Sequence, residues 1–218
     1  MDKRILIVLT SHDDLGGVRK TGYYVSEAAH PWEVFRRAGF EVEVASVRGG
    51  RAPQDGFDPQ DPAQVDFLAA VGERDTPRLE GLDASRYDAV FYAGGHGTMW
   101  DFPRDPDVAR VGREVYERGG VVAAVCHGPA ALVNLTLSDG TYLVAGKRVA
   151  GFTNDEEKAA GVADVVPFLL ADALVGRGAR HEPGPDWQAQ VVVDGRLATG
   201  QNPASAAPLA EEVVKLIR

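Results

Sequence analysis

Short apolar runs separated by polar, glycine-rich segments dominate the hydrophobic pattern of this chain. The clearest runs occupy residues 5–9, 42–45, 89–93 and 121–125. Runs of this length, rich in valine and isoleucine, are typical of strands that are buried on both faces. A hairpin is indicated at residues 191–198, where two apolar segments flank an Asp-Gly pair.

Amphipathic helices are predicted between these strands. One covers residues 31–38, a second runs from Pro106 to the glycine pair at 119–120, and a third follows Pro203. Proline suits the first turn of a helix, and glycine suits the position just after the last turn. Strands that alternate with helices predict an α/β fold: a flavodoxin-like, doubly wound and mostly parallel sheet sandwiched by helices.

Residues 49–86 interrupt this alternation. The segment is rich in proline, aspartate and glycine around one apolar run at residues 65–71. We interpret it as a small cap insertion within a single domain that covers residues 1–218, rather than as a second domain.

Composition and charge exclude several classes of partner. The 218 residues are 44% hydrophobic, so a sizeable core can form, and the formal net charge is −9. Such an acidic surface repels phosphate backbones, so we expect no nucleic-acid partner. No apolar run reaches membrane-spanning length, and the first run is too short for a signal peptide. With one cysteine the chain cannot form an internal disulfide, which fits a cytoplasmic location.

The single cysteine, Cys126, directly follows the apolar run at 121–125. Small residues flank it at both second neighbours, Ala124 and Gly128, which is the pattern of a nucleophile elbow between a strand and a helix. The carboxyl end of a parallel sheet is where ligands bind, and the dipole of a following helix favours thiolate. We therefore predict that Cys126 is a nucleophile rather than a packing residue, with a strained backbone, a lowered pKa and easy oxidation to a sulfinic acid.

A second turn, at residues 93–98, is rich in glycine. Because glycines let a backbone N–H approach a reacting carbonyl, the N–H groups of Gly95 and His127 are expected to form an oxyanion hole. A phosphate-binding loop is the alternative, but no lysine follows and the spacing matches neither common glycine fingerprint. His127 either lines the pocket and pairs with a distant carboxylate or is structural, because adjacent residues on a helix do not face each other.

Together these motifs resemble the ThiJ/PfpI superfamily, whose members have a class I glutamine amidotransferase-like fold. The resemblance covers nearly the whole chain and is closest to the branch of stress chaperones and glyoxalase III enzymes. The matching segments are residues 22–24, Glu27, His30, Pro31, and residues 38–40, 44–46, 93–98, 124–129, 151–154 and 199–203.

The resemblance implies a set of site residues. Cys126 matches the nucleophile, His127 the histidine that follows it, and Glu27 an acid beside the cysteine that is protonated and donates to the sulfur or shuttles a proton. An acid after the Gly-Phe-Thr segment completes a triad, with Glu157 the expected residue and Glu156 the alternative. Four further residues are expected to line the pocket or the oxyanion hole: Tyr23, Gly94, Gly95 and His96.

The implied activity is that of a glyoxalase III-like lyase of the D-lactate dehydratase type, which converts methylglyoxal to lactate without glutathione. The substrate is then a small reactive aldehyde that is removed under stress, and the resemblance also implies a homodimer. No cofactor is expected, and scattered histidines without ligand spacing argue against a bound metal. The alternatives are hydrolysis of a C–N bond, as in protein or nucleotide deglycation, and a holdase chaperone or redox sensor.

Overall fold

A six-stranded sheet forms the centre of the fold. The structure is a computed structural model that describes residues 3–72 and 74–218. Its strands are β1 (Arg4–Leu9), β2 (Glu41–Ser46), β3 (Ala89–Tyr92), β4 (Val121–Val125), β5 (Val191–Asp194) and β6 (Leu197–Gly200). In space they follow the order β5–β6–β4–β3–β1–β2, and every neighbouring pair is parallel except the β5–β6 hairpin. The predicted hairpin and the mostly parallel α/β sheet are confirmed.

Helices flank this sheet. They are α1 (Val25–Arg37), α2 (Pro62–Phe67), α3 (Thr98–Asp101), α4 (Pro106–Glu117), α5 (Asn154–Ala159), α6 (Leu170–Gly176) and α7 (Ala206–Ile217). Among the described residues, no helix has the length and apolar character needed to cross a lipid bilayer. Helices α1 and α7 pack against each other, α1 also contacts β1 and β2, and α4 contacts β3 and β4. The helices thus bury the strands and explain their uninterrupted apolar runs.

The first helix starts earlier than its proline predicted. Helix α1 begins at Val25 instead of position 31, so Pro31 lies in the interior of the helix. Since proline has no N–H, the carbonyl of Glu27, four residues earlier, lacks its usual helical donor. The buried side chains of Val25, Ala28 and Ala29 extend the apolar face towards the N-terminus, and their packing outweighs that loss. The earlier start places Glu27 in the first turn of α1, near the carboxyl edge of the sheet.

Strands β3 and β4 end side by side and bring two turns together. Their register pairs Tyr92 with Ala124. The glycine-rich turn after Tyr92 therefore lies beside the turn that begins at Cys126. Any site built from these two turns sits at the carboxyl edge of the central strands, where ligands of open α/β sheets bind.

Residues 49–86, predicted as a cap insertion, are attached to the start of α1. A two-residue strand, Gln54–Asp55, pairs in parallel with Tyr23–Tyr24. Phe67, the last residue of α2, packs edge-on against the ring of Tyr23, with 6.3 Å between the ring centroids. The role of this segment as a cap stays a prediction.

Candidate active site

Cys126 lies at the end of β4 in a left-handed backbone conformation. Its φ is 59°, a region that costs a non-glycine residue about 1–3 kcal/mol. Its N–H donates to the carbonyl of Gly200 at 2.9 Å, and its carbonyl accepts from the N–H of Phe152 at 2.9 Å. These two bonds hold the strained residue from both sides. The predicted elbow is confirmed, although the helix that follows is a short 3₁₀ turn, Gly128–Leu132, rather than an α-helix.

Glycines allow the two turns at this edge to pack closely. A Cβ atom on Gly128 would lie 2.3 Å from the carbonyl oxygen of Tyr92, and one on Gly94 would lie 2.3 Å from Oε2 of Glu27. Gly95 has a φ of 108°, a backbone conformation that residues with a side chain rarely adopt. Any side chain at these positions would push the turn away from Cys126.

Two backbone N–H groups in these turns are the predicted donors of an oxyanion hole. The N–H of His127 is directed at Sγ of Cys126. The N–H of Gly95 donates to no acceptor within the described part of the chain. The N–H of Gly95 is therefore free to bind a substrate oxygen, and its part in an oxyanion hole stays a prediction.

A buried hydrogen-bonded chain connects Cys126 to a carboxylate. Sγ lies 3.3 Å from Nδ1 of His127, and Nε2 of the same ring lies 2.7 Å from Oε2 of Glu157. Burial raises the pKa of Glu157, but the charges and hydrogen bonds of His127 and His96 outweigh it and bring the pKa down to about 2. A carboxylate can only accept, so Nε2 of His127 carries the proton and Nδ1 presents a lone pair to the thiol. Burial and the charge of His96 lower the pKa of His127, which keeps the ring neutral and able to accept a proton.

His96 shares the same carboxylate. Its Nε2 lies 2.8 Å from Oε1 of Glu157. The rings of His96 and His127 pack at an angle of 40°, with 4.2 Å between their centroids. The ring of Phe152 packs against His127 with 4.3 Å between centroids. Glu157 therefore orients two imidazoles, of which only His96 reaches solvent, with 15% of its side chain exposed.

Glu27 is completely buried, and neither of its carboxyl oxygens has a hydrogen-bond partner among the described residues. Burial raises its pKa to about 8, although the thiol of Cys126 and the N–H of Gly94 lie near enough to oppose the shift. Glu27 is therefore neutral at pH 7, as the resemblance implied.

The predicted lowering of the Cys126 pKa is wrong. Burial raises the pKa of this thiol well above its usual value, and the charges of Glu27 and Glu157 act in the same direction. The N–H of His127 lowers it, but the end of one 3₁₀ turn supplies too little field to compensate for desolvation. The resting enzyme site holds a neutral thiol.

The DJ-1/PfpI family model matches residues 18–216. The chain belongs to the DJ-1/PfpI family. This match confirms the resemblance to ThiJ/PfpI proteins that the motifs indicated, and it includes both turns and the triad of this DJ-1/PfpI protein.

Relatives of similar length carry one activity in their names. "Glyoxalase 3" of Candida albicans is 36% identical over 97% of this chain and 97% of its own length. "Glutathione-independent glyoxalase HSP31" of Saccharomyces cerevisiae is 36% identical over 94% of this chain and 93% of its own. The crystal structure of glyoxalase III from Candida albicans superposes with a TM-score of 0.92 at 34% identity, covering 99% and 98% of the two chains. The resemblance to the glyoxalase III branch is confirmed.

The two candidate acids on α5 of this DJ-1/PfpI protein have separate tasks. Glu157 accepts from His127, whereas Glu156 forms a capping box with Thr153 at the start of the helix. Oε1 of Glu156 also accepts three hydrogen bonds from the segments behind the site: from the N–H of Trp187 at 2.9 Å, Nε2 of Gln201 at 3.1 Å and Nδ2 of Asn202 at 2.9 Å. The sequence contains a pattern that predicts the role of Glu156, because Thr-x-x-Glu is the signature of a capping box and assigns Glu156 to the helix cap.

Tyr23, expected to line the pocket, is buried in the core instead. It is fully inaccessible to solvent, and its ring packs on Phe67. The next residue, Tyr24, is partly exposed, and burial together with the nearby charges of Glu27 and Asp55 raises its pKa. Because alternate residues of a strand face opposite sides, Tyr24 rather than Tyr23 is the tyrosine on the side of the site.

Three possible metal ligands that are far apart in the sequence lie close together in the structure. Nitrogen or oxygen atoms of His96, His127 and Glu157 lie within 4.8 Å of one another. His96 follows β3, His127 follows β4 and Glu157 lies within α5, so the three residues show no ligand spacing along the chain. Histidine spacing in the sequence therefore gives no indication of this cluster, which forms only in the folded chain.

Proposed function

We propose that this DJ-1/PfpI protein is a cysteine-dependent, glutathione-independent glyoxalase that converts methylglyoxal to lactate. The observation that carries the proposal is the pairing of a neutral, buried Glu27 with the chain Cys126–His127–Glu157. Isomerising a 2-oxoaldehyde needs a nucleophile for C1, a group that accepts the proton of the nucleophile, and an acid–base group for the carbon-bound proton. The named activity of the full-length relatives supports the same reaction.

The first step joins the aldehyde to the sulfur. Sγ of Cys126 adds to C1 of methylglyoxal as Nδ1 of His127 accepts the thiol proton, so a buried thiolate never has to persist. The developing oxyanion accepts hydrogen bonds from the N–H groups of Gly95 and His127 and then takes the proton of Glu27. The product of this step is a hemithioacetal with an ionised Glu27 and a protonated His127.

The second step moves hydrogen from C1 to C2. Ionised Glu27 removes the C1 proton, the electron pair forms the C1–C2 double bond, and the protonated His127 donates to the C2 oxygen, giving an enediol. Glu27 then returns its proton to C2 while His127 accepts the C1 hydroxyl proton, which leaves a thioester of lactate on Cys126. A carboxyl with a pKa of about 8 suits both directions of this transfer near neutral pH.

The last step consumes one water molecule. Glu27 accepts a proton from the water as its oxygen attacks the thioester carbon, and the departing sulfur recovers its proton from His127. Lactic acid leaves and ionises to lactate by releasing one proton to solvent, and all three side chains regain their starting protonation states.

The experiment that tests the proposal measures lactate formed from methylglyoxal without glutathione. We expect turnover by the wild-type protein and none by Cys126→Ala, because removal of the nucleophile deletes the covalent path. Leu216→Ala, a substitution of an exposed side chain on α7, is the matched control for handling and folding. Equal lactate from Cys126→Ala, or none from the wild type, would overturn the proposal in favour of C–N bond hydrolysis or chaperoning.

The proposal extends to assembly and location. A homodimer is predicted from the family resemblance, and a cytoplasmic location from the single cysteine. Light scattering at dilute protein concentration measures the assembly directly, and a monomer mass would contradict it.

A further inference from the structure

His96 and His127 both direct Nε2 at Glu157. The carboxylate accepts from His127 at 2.7 Å through one oxygen and from His96 at 2.8 Å through the other. His127 and Glu157 are almost inaccessible, and the partly exposed His96 closes the cluster on the solvent side. The three side chains thus converge on one small volume with a route to solvent past His96.

These donor atoms match the preferences of a zinc-type cation. Zinc binds imidazole nitrogen at about 2.0–2.1 Å and carboxylate oxygen at about 2.0–2.2 Å, and three protein ligands leave a fourth position for water. Two nitrogens in a tetrahedral shell of that radius lie roughly 3.4 Å apart, and the ligand atoms here are already within 4.8 Å of one another. A cation would take the place of the two shared protons with only small side-chain movements.

We propose that His96, His127 and Glu157 form a binding site for a divalent transition-metal ion of the zinc class, and that occupancy of this site inhibits the enzyme. Two imidazoles, one carboxylate and a water complete the coordination. Each imidazole keeps one proton, which moves from Nε2 to Nδ1 when the metal takes Nε2, so no net proton is lost by neutral rings.

Inhibition follows from the position of the metal relative to the sulfur. Nδ1 of His127 faces Sγ of Cys126 at 3.3 Å. With Nε2 on the metal, Nδ1 carries the ring proton and can no longer accept the proton of the thiol. The metal lies on the edge of the ring opposite the sulfur, where it does not contact the carbon that Cys126 attacks, so it supplies no compensating catalysis.

Zinc alone, titrated against a chromogenic zinc chelator, tests the binding site without reference to any substrate. We expect the wild-type protein and Cys126→Ala to bind one zinc ion with similar affinity, because the sulfur is not a ligand. His96→Gln and Glu157→Gln should each bind roughly tenfold more weakly or worse. His181→Gln, which changes a histidine outside the cluster, is the matched control and should bind as the wild type does.

Two outcomes of this titration would overturn the proposal. Unchanged affinity in His96→Gln and Glu157→Gln, with folding verified by thermal unfolding, would place any bound zinc elsewhere. Loss of binding in Cys126→Ala would assign the metal to the thiol. The titration remains informative if methylglyoxal is not a substrate, so the two proposals fail separately.

Inhibition has its own readout. Lactate formation by the wild type should fall when one equivalent of zinc is added and recover with a chelator, and the residual activity of His96→Gln should be insensitive to the same zinc concentration. Full wild-type activity with one zinc bound would refute the inhibitory role.

Discussion

Glu27→Gln should make the protein more stable while it removes proton transfer. The burial of Glu27 raises its pKa from 4.5 to about 8. At pH 7 the carboxyl is therefore ionised in the unfolded chain and protonated in the folded protein, and folding has to include the uptake of a proton. Glutamine has nearly the same shape and is neutral in both states, so the substitution removes that cost.

The magnitude follows from the two pKa values of Glu27. One pKa unit corresponds to about 1.4 kcal/mol, so the cost at pH 7, between an unfolded value of 4.5 and a folded value of about 8, is about 3 kcal/mol. At pH 5, which is only slightly above the unfolded pKa of 4.5, the cost of taking up the proton on folding is about 1 kcal/mol. The sign is that of an acid whose folded pKa is raised: its contribution to stability is best below pH 4.5 and declines as the pH rises towards 8.

Urea unfolding of the wild type and Glu27→Gln at pH 5, 6 and 7 measures this effect. The difference in the free energy of unfolding should grow in favour of the variant by about 2–3 kcal/mol between pH 5 and pH 7. Any fixed difference between the amide and the acid cancels in that comparison. Glu211→Gln, the same substitution at an exposed site on α7, supplies the background of the chemical change. A difference that is independent of pH would refute the buried, protonated Glu27.

Three further predictions concern the elbow and the triad. The rate of alkylation of Cys126 by iodoacetamide should rise with a midpoint above the usual thiol pKa, because burial disfavours the thiolate; a midpoint near or below neutrality would contradict this. Glu157→Gln should lower kcat on the order of a hundredfold or more with little change in KM, because one amide cannot accept from both imidazoles; steady-state kinetics decide it, and an unchanged kcat would exclude the orienting role. Gly128→Ala should lower the free energy of unfolding by about 1–3 kcal/mol, since the new Cβ would meet the carbonyl of Tyr92 at 2.3 Å; urea unfolding measures it, and a neutral substitution would show that the turn can relax.

The elements that position the site were accessible from local patterns. The apolar runs before the turns at Gly94 and Cys126 have the length and the uninterrupted apolar character of buried strands, and the small neighbours of the cysteine predict the elbow. Both patterns report steric requirements that a residue imposes on its immediate neighbours. Pro31 alone predicts that α1 begins at position 31, because proline favours the first turn of a helix. The helix begins earlier because packing of the preceding apolar face outweighs the cost of proline in the helix interior.

Long-range features of the site were not accessible in the same way. His96 and Glu157 are 61 positions apart in sequence, and only the folded sheet brings them together. The pKa of Cys126 depended on the balance between a helix-end dipole and desolvation, and the degree of burial cannot be taken from neighbouring residues. The sequence therefore predicts the residue types of the site but the wrong direction of the shift in the pKa of Cys126.

The two carboxyl groups beside the triad illustrate how environment assigns roles to identical side chains. Among the described residues, no hydrogen-bond partner is found for the carboxyl oxygens of Glu27, so burial keeps it protonated, whereas two imidazole N–H groups keep Glu157 ionised. Their pKa values, about 8 and about 2, lie on opposite sides of neutrality. A carboxyl that can give and take a proton near pH 7 suits the transfer between C1 and C2, and one that stays charged suits the orientation of His127. Exchange of these roles would require moving the two imidazole N–H donors rather than changing an acid. A metal that replaces those donors at Glu157 is expected to stop the reaction through the protonation of Nδ1 of His127, with Glu27 left unchanged.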